Sequence, residues 1–390
     1  MKLTYCMLVI ATFVALKQLP GNAQTSPSAT GGTHNDSPVA QADVSPWQVY
    51  NLAFSDKKIV AGVDGSRMIG AQPLCSSEGV LFLETPIPPN YRDRRVVSLE
   101  EHGGHSFNPG SAPNLYDSRM LSFFPGDTSV AILVRATSDS SESDVSMKSP
   151  AGVATTKHVK AGEHRNFILQ FDREGNYKST VDLPSTYEFK RFAELPSGEF
   201  LALGYDPVNI VPTLQVINSD GQSVRRIEVP GYMLEEPTQK QAQNGGDLER
   251  MKASTDISFW RFVSSMKKVL LYRPNSDEPV LEVSSGGATR EVHIETPVGF
   301  ELDGLVPSAD TWIARFRRKG LAGSDLAKPS SEGDDYLLFK LNPADGSLVA
   351  KLNYTGTSIF GIACEAAGLV SSFSVDADAK FQLSFASIPK

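Results

Sequence analysis

Phe167-Ile-Leu-Gln-Phe-Asp-Arg-Glu-Gly-Asn-Tyr-Lys-Ser-Thr-Val-Asp-Leu183 is one apolar run, a polar turn ending in Gly175, and a second run. The same phrase returns at Leu214–Val229 around Asn218-Ser-Asp-Gly221, and at Tyr336–Leu352 around Pro343-Ala-Asp-Gly346. Short runs rich in β-branched and aromatic residues, joined by a turn whose glycine accepts a positive φ, are the signature of a β-hairpin. Helical periodicity is nearly absent elsewhere, so the chain reads as all-β.

A second hairpin alternates with the first. Its copies are Met68–Ser76 with a turn at Glu78-Gly79, Arg119–Phe123 at Pro125-Gly126, and Phe189–Leu195 at Pro196-Ser-Gly198. Further copies are Ile257–Val263 followed by Val269–Tyr272, Phe300–Val306 at Ala309-Asp310, and Ile359–Cys364 at Ala367-Gly368. Gly79 and Gly368 span five intervals, about 58 residues per unit. An inner hairpin followed by an outer one, repeated at that period, predicts six four-stranded antiparallel propeller blades in one domain, 47–390. A pair of β-sandwiches or a seven-blade count are the alternatives. In its hairpin rhythm the chain resembles the six-bladed β-propeller group that includes NHL-like and TolB-like proteins. It carries neither a Trp-Asp repeat signature nor a sialidase-type Asp box.

The last unit has three strands, Ile359–Cys364, Leu369–Val375 and Phe381–Ala386. Surplus strand-like sequence, Trp47–Phe54 and Lys58–Val63, precedes the first unit. The expectation is that an N-terminal strand completes the last blade and removes a sheet edge.

Ahead of that lies Lys2, an apolar run Met7–Leu16, and Gly21-Asn22-Ala23. A charged start, a short apolar core and a small-residue site read as a cleaved secretory signal, 1–23, too short to span a bilayer. Residues 24–46 read as a Ser/Thr/Pro/Gly linker. A buried N-terminal helix is the competing reading. The expected location is therefore secreted or periplasmic. Without residues 1–23 the chain holds 35 basic and 45 acidic residues. That acidic balance argues against nucleic acid or an anionic membrane as partner.

In such a module the inner- and outer-hairpin turns share one face, and the long connections Thr137–Arg165, Tyr205–Pro212, Arg317–Asp335 and Tyr232–Asp256 fall on the other. Loops on a rigid scaffold concentrate binding residues. Ser138–Ser149, acidic and Ser-rich, reads equally as a disordered insertion. Aligning inner strands on their turn glycines puts Arg119 and Arg191 at one level near the channel mouth; Arg261 joins them when Arg261-Phe262 is matched to Arg191-Phe192, with Asp303 and Gln72 in the equivalent places. Converging guanidinium groups favour a carboxylate or other anion. The plainer alternative pairs them with Asp117, Glu188 or Asp303 to hold blades together. By the same alignment Cys75 and Cys364 are equivalent, on units a closed ring makes adjacent, and could be bridged or remain two packed thiols.

Glu100-Glu-His-Gly-Gly-His105 has metal-like composition but reads as a surface cluster. His158 and His164 carry no partner pattern, His293 alternates within a strand, and Trp47, Trp260 and Trp312 read as packing. Gly-x-Ser-x-Gly, His-Glu-x-x-His and a phosphate-cradling loop are all absent. The sequence thus points to a non-catalytic binding propeller for a protein, peptide or small anion, without cofactor or metal and monomeric. The alternative is a metal-assisted hydrolase or lactonase at the channel mouth.

Overall fold

The computed structural model describes residues 47–388, apart from 56–57, 65–73, 77–79, 88–92, 100–103, 127, 149–153, 210, 234–256, 266–267, 308–310, 321–334, 356–360, 367–368, 376–377 and 379. Residues 47–390 form one compact unit. Two strands, β1 (Gln48–Ala53) and β2 (Lys58–Asp64), precede the repeats.

The first repeat holds β3 (Leu74–Cys75), β4 (Leu81–Pro86), β5 (Arg94–Leu99) and β6 (Ser106–Phe107). The second holds β7 (Tyr116–Pro125) and β8 (Ser129–Thr137), an inserted ribbon of β9 (Glu142–Lys148) and β10 (Ala154–Lys160), then β11 (Arg165–Asp172) and β12 (Tyr177–Asp182). In the third are β13 (Glu188–Glu194), β14 (Phe200–Asp206), β15 (Val211–Ile217) and β16 (Ser223–Ile227). The fourth comprises β17 (Arg261–Ser265), β18 (Lys268–Tyr272), β19 (Val280–Ser284) and β20 (Thr289–Val292). The fifth comprises β21 (Phe300–Pro307), β22 (Trp312–Arg318), β23 (Tyr336–Leu341) and β24 (Leu348–Thr355). The last repeat is β25 (Gly361–Ala366), β26 (Leu369–Val375) and β27 (Lys380–Ser387).

The protein is an all-β propeller of four-stranded antiparallel blades. Five sheets, where six were expected, have four strands. The fifth repeat makes a five-stranded sheet, because β1 adds parallel to β24 through Gln48↔Ala350 to Ala53↔Thr355. β2 pairs antiparallel with β27 in the sheet of the last repeat. The first strands of successive sheets pack side by side, β3 on β7, β7 on β13, and so on to β25, which adjoins β3.

Alternation explains the core. In β14 and β18 both sheet faces are covered, so Phe200–Tyr205 and Val269–Tyr272 are buried throughout. Outer strands face water on one side: β16 buries only Ile227. The largest described core joins the second, third and fourth sheets through Phe124, Phe189, Phe192, Phe200, Trp260 and Leu271. Trp47 packs edge-on against Phe339 at 5.1 Å, and buried Leu52 joins Ile313, Leu338 and Ala386. Trp47, Trp260 and Trp312 are thus packing residues.

The glycines of the repeated outer turn do two things. Gly221 and Gly346 take φ of +80° and +76°. A Cβ at either would also strike the carbonyl of Asp182 or His293 in the preceding repeat. The turn residue and the contact between blades are therefore one constraint.

Several expectations change. Ser138–Ser149 is not an unstructured insertion: β9 runs through it and pairs residue for residue with β10. The Tyr205–Pro212 connection shrinks to 207–210, because both flanking strands extend into it. Residues 257–259 form a helical turn, so Ile257 belongs to no strand. His293 is exposed just beyond β20. Antiparallel order leaves connections 138–164, 228–260 and 319–335 at the end of the sheets where the inner strands begin.

Candidate functional site

The inner strands start at that end, so their first residues surround the channel mouth. Arg191 on β13 gives Nε and Nη2 to the carbonyl of Ser258, at 3.1 and 2.6 Å. Its Nη1 lies 3.5 Å from the Leu121 carbonyl. Ser258 sits in the helical turn just before β17, so Arg191 fastens the segment that delivers Arg261. Burial, and then the like charge of Arg261, lower the Arg191 pKa to about 10; Glu84 acts the other way. The guanidinium stays charged at neutral pH. Glu84 is itself engaged by Arg94 at 2.7 Å. The Arg261 Nε is buried without a hydrogen-bond partner among the described residues.

The next strand around is different. Asp303 on β21 is 8% exposed and pairs with Arg315, itself 9% exposed. Glu301 accepts from Arg317 at 2.7 Å. Arg315 also lies over the Tyr336 ring at 5.4 Å. Tyr272, fully buried, accepts from the Leu305 amide at 3.3 Å. Burial raises its pKa, and the charges of Arg261, Asp303 and Arg315 all reach it. The charges of Arg261 and Asp303 thus both reach the Tyr272 hydroxyl, and that of Arg261 also reaches Arg191.

Arg119 is exposed and has no partner among the described residues. Its alignment with Arg191 by turn glycine does not survive the strand register. Inner strands carry a bulge, at Leu121 in β7 and Lys190 in β13, and the residues just after it are Ser122 and Arg191. Gly126 directly follows the last paired residue, Pro125, whereas Gly198 lies four beyond Glu194, so the two glycines occupy different turn positions. Arg119 sits three residues nearer the strand start than Arg191. Asp303 lies at the bulge of its own strand. Gln72 lies outside the described residues.

Arg315, Tyr272, Glu84 and Arg317 were not singled out from sequence. They stand on second strands, where the apolar runs Leu81–Leu83 and Trp312–Phe316 hide them. The signal is an Arg or acid interrupting an otherwise buried strand. Cys75 is disulfide-bonded. The side chain of Cys364 and the Glu100–His102 part of the His cluster lie outside the described residues. His158 meets Asp144 across the β9–β10 ribbon. Among the described residues no three His, Cys, Asp or Glu side chains could hold a metal, and no helix is long and apolar enough to cross a membrane.

No family model and no curated protein matches the chain. Solved structures do match in fold. A protein of unknown function from Dyadobacter fermentans shares 11% identity over 87% of this chain and 99% of its own, with a TM-score of 0.42. The virginiamycin B lyase of Staphylococcus aureus shares 9% over 86% and 100%, at 0.36. The β-propeller domain of the Trilobed protease from Pyrococcus furiosus shares 8% over 78% and 79%, at 0.36. These likenesses concern the fold alone.

Proposed function

We propose that this is an exported, monomeric binding propeller that takes an anionic ligand, a small molecule or an acidic group of a protein or peptide, at the mouth of its channel. The observation that carries the reading is the Arg191–Arg261 pair. The charge of Arg261 acts on the half-buried Arg191, the nearby acid is engaged elsewhere, and the Arg261 Nε has no partner among the described residues. A carboxylate between them would relieve the repulsion and fill the donor.

The reading includes six blades, with the five-stranded sheet as the fifth, and closure of the last blade by β2. Pairing of β2 with β27 and packing of β25 on β3 support it. Cys364 on β25 is the proposed partner of disulfide-bonded Cys75, which suits an oxidising compartment reached through a cleaved segment 1–23. Peptide mapping without reduction and N-terminal sequencing test these parts.

The ligand reading is tested by a thermal-shift screen of carboxylates, phosphate and acidic peptides on the wild type and Arg261→Met. Stabilisation of the wild type by an anion, lost in the variant, supports it. Equal response of both proteins to every anion refutes it.

A further inference from the structure

The large apolar side chains exposed among the described residues fall into two groups. Val49, Val224 and Val349 lie near the starts of β1, β16 and β24, at the end of the sheets away from the channel mouth. Val208, Val211, Phe259 and Val298 lie at the mouth end, in or just ahead of the repeats that supply Arg191, Arg261 and Asp303. Exposed valines taken singly are ordinary. Phe259 is the one aromatic of the set, and it is 51% exposed.

The fold holds Phe259 in place. Ile257 and Trp260, on either side of it, are fully buried, and the Trp260 amide donates to the Ile257 carbonyl at 3.2 Å, closing the turn. The Ser258 carbonyl between them accepts from Arg191 Nη2 at 2.6 Å. That carbonyl is peptide-bonded to Phe259, and Arg261 follows two residues later. An exposed ring is thus fixed one covalent link from the group that Arg191 holds, and next to the strand whose Arg261 Nε has no partner among the described residues.

The acids that act here are already engaged. Glu84 acts on Arg191 but is bonded to Arg94, and Asp303 is paired with Arg315. The positive surplus is therefore small and local, which a single carboxylate matches. An apolar group laid on Phe259 gains in proportion to the area that both withdraw from water.

We propose that the anion taken at the channel mouth is a small carboxylic acid with an apolar body about the size of a ring, its carboxylate at Arg191 and Arg261 and its body against Phe259. This rests on the channel-mouth reading and adds the second half of the ligand.

The test is calorimetry at constant ionic strength with acetate, 3-phenylpropionate and the neutral 3-phenylpropionamide, on the wild type, Phe259→Ala and Arg261→Met. The wild type should bind 3-phenylpropionate at least about tenfold tighter than acetate, and the amide not measurably. Phe259→Ala, which empties no core position, should bring 3-phenylpropionate close to the affinity of acetate, and Arg261→Met should weaken both acids. Equal wild-type affinity for the two acids overturns the inference and leaves the channel-mouth reading standing, as does a preference that survives Phe259→Ala. An amide that binds as tightly as its acid overturns it as well, because the ring alone would then be recognised. Failure of both acids to bind overturns the channel-mouth reading and this inference with it. N-acetylphenylalanine carries the same groups at a chain end, and tighter binding of it than of 3-phenylpropionate would replace the small acid by a peptide terminus.

Discussion

The two sides of the channel mouth treat charge differently. On the fifth sheet two cations meet acids of their own hairpin: Arg315 with Asp303, Arg317 with Glu301. Across the third and fourth sheets, the like charge of Arg261 acts on Arg191, and the backbone rather than an acid engages Arg191. The same residue type therefore serves two ends. A pair closed within one hairpin holds structure, whereas a pair of cations on adjacent inner strands is stable only at some cost and invites an anion.

The largest expected effect breaks the compensated side. Asp303→Ala leaves Arg315 buried without its acid and should cost roughly 3 to 5 kcal/mol in denaturant unfolding. A loss under 1 kcal/mol would mean the pair is not insulated from water. Arg191→Met comes next: it removes two charge-assisted bonds to the Ser258 carbonyl, for about 2 kcal/mol. It should also loosen the 257–259 turn, seen as faster hydrogen exchange there.

Glu188 shares β13 with Arg191 but is compensated. Burial pushes its pKa up, yet the Tyr205 hydroxyl, Lys190 and Arg135 outweigh this and hold it below the ordinary 4.5. Its folded value being depressed, the unfolded chain takes up the proton first. The stability it contributes is present above about pH 4.5 and fades as pH falls through the folded value. Glu188→Gln should flatten the acid limb of the stability curve; an unchanged limb would show the three donors do not act on that carboxylate. The smallest effect is expected for Arg261→Met, within about 0.5 kcal/mol of wild type, because an apolar chain of similar length replaces a donor with no partner among the described residues. Arg191 is held by the Ser258 carbonyl, whereas the Arg261 Nε has no partner among the described residues.

The hairpin rhythm was legible because its glycines are needed twice, for the turn and for the blade beside it, as at Gly221 and Gly346. Arg191, Arg261 and Asp303 are legible as inner-strand residues because the hairpin repeat marks where those strands run. Arg119 was misaligned because turn glycines fall at different points of turns of different length, and a bulge adds a residue that no periodicity announces. The parallel seat of β1 on β24 was hidden too, since an N-terminal strand can join any exposed edge with the right apolar face. The contact of Arg191 with the Ser258 carbonyl depends on which residues of separate blades meet. Spacing along one chain does not encode that.

The most direct test measures unfolding free energy against succinate concentration, with ionic strength held constant by chloride, for the wild type and Arg261→Met. A ligand that binds only the folded state adds stability as the logarithm of its concentration above Kd. The wild type should gain stability logarithmically while Arg261→Met stays flat. Parallel lines for the two proteins would contradict the account, because the anion would then be acting somewhere other than the Arg191–Arg261 mouth.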